Sequence, residues 1–291
     1  MLASQLMANV VLPIGLADAK GRRSRSAGLV PISGRGEMLA AEDANPFRAA
    51  LQLLVMSTVR LGPFQAEEID LGLLSSLLPI DRDYLLVQLV RLTFGDVRYQ
   101  TVTCPAAGCG KRLDIQLDLS TVRAPAVEEK VAPLALPDGR LVRFRRPTCG
   151  DQVALHGLSP GELETAFIAR LVLPASGEPA GLSADQIAAL PAELRAALVR
   201  QMVAASPDLE LTTELACAEC GVQFCYEYDP VVALLDELRT SRRAILQQLH
   251  SLAFYYHWSP SEILNLTRSQ RAEFLQLLGD ELGAQARGAA R

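Results

Sequence analysis

The sequence has no excess of positive charge. It contains 28 Lys and Arg residues against 33 Asp and Glu, which gives a net charge of -5 and a pI near 5.4. Its basic runs, near residues 20 and 143, are short and separated. Proteins that mainly neutralise phosphates concentrate Lys and Arg on one surface. The charge balance therefore argues against nucleic acid as a partner.

A long apolar segment is also missing from the start of the chain. Pro13 and Gly15 interrupt the first apolar run, and no basic segment precedes it. Signal peptides and membrane helices need a longer uninterrupted run. We therefore expect no signal peptide, no membrane partner and synthesis in the cytoplasm.

Arrangements of residues that would indicate catalysis are absent as well. The three histidines, His156, His250 and His257, fall on helical stretches or a helix end, without a Ser/His/Asp or Cys/His pattern. Gly34 and Gly36 are too close for a phosphate-binding loop and lack a following Lys-Ser/Thr. The sequence predicts a protein that is not an enzyme.

What the sequence does contain is an approximate internal repeat. The apolar stretch that begins at Pro79 corresponds to one that begins at Pro191, at an offset of 191 − 79, or 112. A C-x4-C pair and a C-x2-C pair follow these stretches at offsets of 113 and 111 between matching cysteines, 217 − 104 and 220 − 109. Recurrence at a near-constant offset favours a duplicated unit.

We therefore expect an α+β fold in which two pseudo-repeated halves of short strands and helices are joined at a four-cysteine zinc ribbon. The predicted boundaries are 1–119 and 120–229 for the halves, and 230–291 for a C-terminal three-helix appendage. With 49% hydrophobic and 21% charged residues, the chain has enough apolar material for packed cores. Asp138-Gly139 predicts a hairpin, and the segment 171–186 an exposed loop.

Hydroxyl and acidic residues predict where several helices begin. Ser33 with Glu37, and Thr148 with Asp151, fit the N-cap and first turn of one helix in each half. Asp81-Arg82-Asp83 invites a metal interpretation, but N-terminal capping and compensation of the helix dipole explain these acids with fewer assumptions.

The last 62 residues, 230–291, read as helix throughout. Asp229 and Pro230 predict the start, and an apolar stripe with steps of three and four follows. The stripe comprises Val231, Leu235, Leu238, Ile245, Leu249, Leu252 and Tyr256, with Arg242 at the remaining position. Ser259 and Thr267 predict two further helix starts, and Gly283 the last stop. We expect the stripe to face another helix, which could belong to a partner.

The four paired cysteines predict one structural zinc site. Cys104 and Cys109 form one knuckle, Cys217 and Cys220 the other, and Gly110 or Gly221 follows to ease the turn. One knuckle supplies only half of a tetrahedral zinc site, so Zn²⁺ would join segments more than a hundred residues apart. Such a closed site stabilises a fold and leaves no position for a catalytic water.

Two other functions remain open for these cysteines. A zinc ribbon could bind nucleic acid, although the tips Pro-Ala-Ala-Gly and Ala-Glu are small or acidic. A redox-active Cys-x-x-Cys pair would normally open a helix, whereas a strand-like segment follows Cys220. Cys149 and Cys225 have no partners in the sequence, and we expect both to be small buried side chains.

Taken in order, several segments resemble the T4-type phage baseplate protein family. They are LPIGL, LVPISGRGE, IDRDYLLVQLVRLTFGD, the first knuckle with RLDIQLDL, LPDGRLVRFRRPT, the second knuckle, and AILQQLHSLAFYYHWSPSEILNLTRSQRAEFLQLL. The most specific are DRDYLLVQLVRLTFGD and the final helical segment with its YYHWSPSE turn. Cys149 departs from the glycine or polar residue expected after Pro-Thr.

The resemblance implies a non-enzymatic baseplate or hub component, or an assembly factor for one, in a phage tail or an extracellular contractile injection system. Its partners would be other baseplate and tail proteins. It would lie in the cytoplasm during assembly and then in the virion or the released particle.

Overall fold

The computed structural model describes residues 7–17, 22–40, 43–125, 127, 133–135, 141–174 and 182–289. The predicted turn at Asp138-Gly139 and part of the predicted loop at 171–186 lie outside these residues. Helices and antiparallel strands alternate along the described chain, which confirms the α+β class.

A four-stranded antiparallel sheet opens the chain, with strand order β1-β2-β3-β4. The strands are β1 Ala8–Ala17, β2 Arg23–Leu29, β3 Thr58–Leu61 and β4 Phe64–Gln65. The helices α1 Gly34–Ala40 and α2 Pro46–Ser57 connect β2 to β3. Next come α3 Leu71–Ser75, α4 Pro79–Phe94 and an antiparallel hairpin of β5 Val97–Thr103 and β6 Arg112–Asp118.

The second region begins with the short antiparallel pair β7 Leu134–Ala135 and β8 Leu141–Val142, on either side of the predicted turn. Four helices follow: α5 Cys149–Leu155, α6 Pro160–Leu171, α7 Ala184–Ala188 and α8 Ala192–Ala204. A second antiparallel hairpin, β9 Thr212–Ala216 with β10 Gln223–Glu227, ends the region. The last helices are α9 Pro230–Tyr256, α10 Pro260–Asn265 and α11 Arg268–Ala289.

Most buried apolar residues form a main core and a smaller second core. The main core joins the four-stranded sheet, α2, α4 and the first turns of α9. The second lies among β8, α6, α7 and α8, and its buried members are Phe144, Ile168, Leu171, Val172, Ile187, Leu198 and Met202. The start of α9 is thus part of the same core as the first region.

The predicted helix starts at Thr148, Asp229, Ser259 and Thr267 are confirmed. Thr148 and Ser259 form capping boxes with the acid three residues later, and the Asp229 carboxylate accepts hydrogen bonds from two backbone N–H groups of α9. The Thr267 hydroxyl accepts a hydrogen bond from the Gln270 N–H. Side-chain acceptors at these positions satisfy donors that a helix start leaves without an intrahelical partner.

Of the two roles predicted for Asp81, capping is wrong, whereas its position in the first turn of α4 fits compensation of the helix dipole. Leu78 is the N-cap of α4, and Asp81 lies inside the first turn, completely buried. Its carboxylate accepts hydrogen bonds from the backbone N–H groups of Ile14 at 2.8 Å and Gly15 at 3.0 Å. The pairing of β1 with β2 is irregular between residues 11 and 16, and Asp81 supplies acceptors to the amides there. Burial raises the pKa of Asp81.

Two further details of the C-terminal helices differ from the prediction. Helix α11 continues through Gly283 to Ala289, because one glycine costs a helix only about 1 kcal/mol and good helix formers surround it. The apolar stripe of α9 faces other helices, as expected, but they belong to its own chain, since α9 contacts α1, α2, α4, α10 and α11. Leu238, Ile245 and Leu252 are fully buried there, so these three positions are not available to a partner.

Candidate metal centre

Two β-hairpins carry the paired cysteines at their turns. Cys104 directly follows β5, and its N–H donates to the carbonyl oxygen of Lys111 at 2.8 Å. Cys217 directly follows β9, and its N–H donates to the carbonyl oxygen of Val222 at 3.0 Å. The chain reverses sharply in each turn, with φ of +57° at Gly110 and +72° at Gly221. Glycine adopts these angles without steric cost, which explains its position after each pair.

The structure brings all four predicted ligands together. Their sulfur atoms lie within 4.8 Å of one another. The Sγ atoms of Cys104 and Cys220 are 3.6 Å apart, and those of Cys109 and Cys217 are 3.8 Å apart. Each of these contacts joins one hairpin to the other. All four are free thiols, with no disulfide between them.

Two of the sulfur–sulfur distances, 3.6 and 3.8 Å, are close to those around a tetrahedral zinc ion. With Zn–S bonds of about 2.3 Å, tetrahedral geometry places neighbouring sulfur atoms about 3.8 Å apart. Four thiolates are also one of the usual ligand sets of structural zinc. The four cysteines could therefore hold a metal ion.

Backbone amides in the turns face the thiols. Hydrogen bonds from the N–H groups of Cys220 and Glu219 lower the pKa of Cys217 to about 7. The N–H of Ala106 also lowers the pKa of Cys104, but desolvation and hydrogen bonds with the other thiols raise it to about 12. Backbone N–H groups in both turns therefore favour the thiolate form, which is the form that binds a metal ion.

The two remaining cysteines lie outside this cluster. Cys149 is fully buried at the start of α5, as predicted. Cys225 is exposed, and the prediction of burial is wrong. It lies on β10, where the alternation of side chains places it on the solvent-facing side with Gln223 and Glu227.

A polar network around Asp151 was not predicted from the sequence. Beyond its capping role, the buried carboxylate of Asp151 accepts hydrogen bonds from Nη1 and Nη2 of Arg145, at 2.6 and 2.9 Å. It also accepts one from Nε of Arg170, at 2.9 Å. Burial alone would raise the pKa of Asp151, but hydrogen bonds from Arg145, the Thr148 N–H and Arg170 hold it below its ordinary value. The short spacing from Arg145 to Asp151 was visible in the sequence, whereas Arg170 comes from another helix.

The chain matches a known protein family. A model of the T4 bacteriophage base plate protein family matches residues 64–235, which is more than half of the chain. The chain belongs to this family. The matched stretch of this baseplate protein contains both knuckles and the helices before them. No curated protein and no solved structure matches the chain.

Among the described residues, none of the helices combines the length and apolar character needed to span a bilayer.

Proposed function

We propose that the chain is a non-catalytic structural component of the baseplate of a contractile phage tail or injection system, or an assembly factor for it. The family match over residues 64–235 carries this proposal. The partners are other baseplate and tail proteins. The protein acts in the cytoplasm during assembly and is then part of the virion or the released particle.

Structural zinc is the second element of the proposal, with Cys104, Cys109, Cys217 and Cys220 as ligands. The cross-hairpin sulfur distances of 3.6 and 3.8 Å support it. Four thiolates fill a tetrahedral coordination shell, so the site would leave no open position for a substrate. A structural zinc site of this kind contributes about 10–16 kcal/mol of apparent binding energy, which is then folding energy.

The proposed architecture is a duplicated unit whose halves, 1–119 and 120–229, meet at the zinc, followed by three helices in 230–291. In support, α4 leads into the hairpin β5–β6, and α8 leads into the hairpin β9–β10, each with one cysteine pair at its turn. The zinc would hold together two hairpins that have little core of their own, because alternate residues of both are exposed.

Deleting the gene tests the baseplate role. The gene would be deleted from the cell that produces the particle, and complete particles would be counted by electron microscopy. The control is the same deletion strain with the gene supplied on a plasmid. We expect tails without complete baseplates, restored by the plasmid. Normal particles without the chain would contradict the proposal.

Mass spectrometry of purified wild-type particles distinguishes the two roles within the proposal. A structural component is retained at a fixed number of copies per particle. An assembly factor is required for particle formation but is missing from the finished particle.

A further inference from the structure

An open apolar groove of about 590 Å³ lies beside the second core. Phe47 of α2 lines one side, Leu158 and Leu163 line another at the start of α6, and Val203 of α8 completes it. The last three side chains are exposed. Apolar side chains that converge on a concave surface are typical of sites that bind another molecule.

The groove continues into a cleft with acidic walls. The cleft measures about 560 Å³ and shares Phe47, Gln152, Phe167 and Val203 with the groove. Four carboxylates line it, from Asp83, Asp208, Glu227 and Asp229, and they come from both regions of the chain. We call the groove and this cleft together the composite groove.

A cation that lines the cleft is already paired with one of its carboxylates. Arg82, which lines the cleft, donates to Asp83 and Gln152 and lies 5.4 Å from the centre of the Phe47 ring. Asp83 is thus paired with Arg82, and Asp229 caps α9. Among the described lining residues, the exposed carboxylates of Asp208 and Glu227 keep the cleft acidic.

Two of the other carboxylates also affect Asp83. Burial raises the pKa of Asp83 to about 6, Arg82 lowers it, and the charges of Asp229 and Asp208 raise it again. A cation brought into the cleft would be attracted by the same carboxylates.

We propose that the composite groove docks a segment of another baseplate protein that carries a large apolar side chain close to an Arg or Lys. The apolar side chain lies against Phe47, Leu163 and Val203, and the cation lies among the carboxylates. That the partner is a baseplate protein rests on the proposed function. The apolar and basic residues of the segment are inferred from the lining of the composite groove, where an apolar surface continues into an acidic one. Nucleic acid does not fit, because the acidic wall repels phosphates.

Site-specific photocrosslinking can identify the docked segment. The full chain would carry a photoreactive phenylalanine analogue at Val203, co-expressed with the other proteins of its particle, and mass spectrometry would sequence the crosslinked peptides. Gln201 is the control position, because it is exposed on the same helix and does not line the groove.

We expect crosslinks from position 203, and not from 201, to a partner segment with an apolar residue near Arg or Lys. A crosslink to a second copy of this chain, to a segment without a basic residue, or equally from both positions would overturn the inference.

Paired substitutions test the two parts of the composite groove separately. Val203→Glu changes the apolar part, and Leu277→Glu is its control, since these side chains are 56% and 60% exposed. Asp208→Lys changes the acidic part, and Asp280→Lys, on α11, makes the same charge change away from the groove.

We expect each groove variant to reduce co-purification of the crosslinked partner at least tenfold, and each control to leave it within twofold. All four variants should melt within a few degrees of the wild type. Equal co-purification by groove and control variants overturns the docking site, even if gene deletion still abolishes the baseplate. If deletion of the gene leaves normal particles, the proposed function itself is wrong.

Discussion

Nη2 of Arg271 donates a hydrogen bond of 2.5 Å to a carboxylate oxygen of Glu37, and both side chains are fully buried. The two residues are 234 positions apart, so the pair ties α1 to α11. Arg271 also donates to Gln248 of α9 and to the carbonyl oxygen of Leu266. The guanidinium therefore joins the beginning of the chain to three C-terminal segments.

Removing Arg271 should be strongly destabilising. Arg271→Met leaves the buried Glu37 carboxylate without its main partner, which costs about 3–5 kcal/mol in comparable buried pairs. Urea unfolding would measure the loss. Arg239→Met, in an exposed pair with Asp236, should change stability by less than about 1 kcal/mol. The double variant Glu37→Leu/Arg271→Met should recover part of the loss, and equal stability of single and double variants would contradict this account.

Gly34 should not tolerate a side chain. A Cβ atom there would lie 2.7 Å from Nη1 of Arg271 and 3.2 Å from the Cα atom of Leu264. Gly34→Ala should therefore displace Arg271 and destabilise the protein by about 1–3 kcal/mol. Gly279→Ala is the control, because nothing lies within 4 Å of that Cβ position, and it should stabilise α11 by about 0.5–1 kcal/mol. Thermal melts of both variants would show shifts of opposite sign.

Metal content distinguishes the zinc site from ordinary cysteines. We expect one zinc per chain in the purified protein and a large fall in melting temperature after chelation. Cys104→Ser should lose the metal and most of that stability. Cys225→Ser, at an exposed thiol outside the cluster, should keep both. Protein without metal, with a melt that chelation does not change, would exclude the site.

The hydrogen bonds of Asp151 should make the free energy of unfolding depend on pH. The pKa of Asp151 is below its ordinary value of 3.8 in the folded protein, so the unfolded chain binds a proton more readily. The stabilisation is complete when the pH is above the ordinary pKa of 3.8, and it is lost as the pH falls through the lowered pKa of the folded protein. Asp151→Asn should cost about 2–3 kcal/mol near neutral pH.

Unfolding free energies measured from pH 7 down to pH 3 would test the Asp151 prediction. The difference between wild type and Asp151→Asn should shrink below about pH 4. Glu162→Gln, in the exposed capping box of α6, should show a much smaller difference at every pH. A difference for Asp151→Asn that does not change with pH would show that the carboxylate charge is not responsible.

The residues that carry local chemistry were predictable from the sequence. Capping residues and turn glycines act within a few positions of where they stand, so Thr148, Ser259 and Gly221 are located as predicted. Gly283 was misassigned because one glycine among good helix formers does not end a helix. The capping role of Asp81 was misassigned because its contacts come from a distant strand, and a rule about nearest neighbours in sequence contains no such information.

The four thiols of the candidate site could be predicted because knuckle spacing is local and a zinc site needs two such knuckles. The sequence by itself thus determined the α+β class, most helix starts and the set of candidate ligands. Only the tertiary structure decided that Arg271 meets Glu37, that Asp81 binds the amides of β1, and that the α9 stripe is covered within the chain. These contacts join residues far apart in sequence, and their partners are selected by packing of the whole chain.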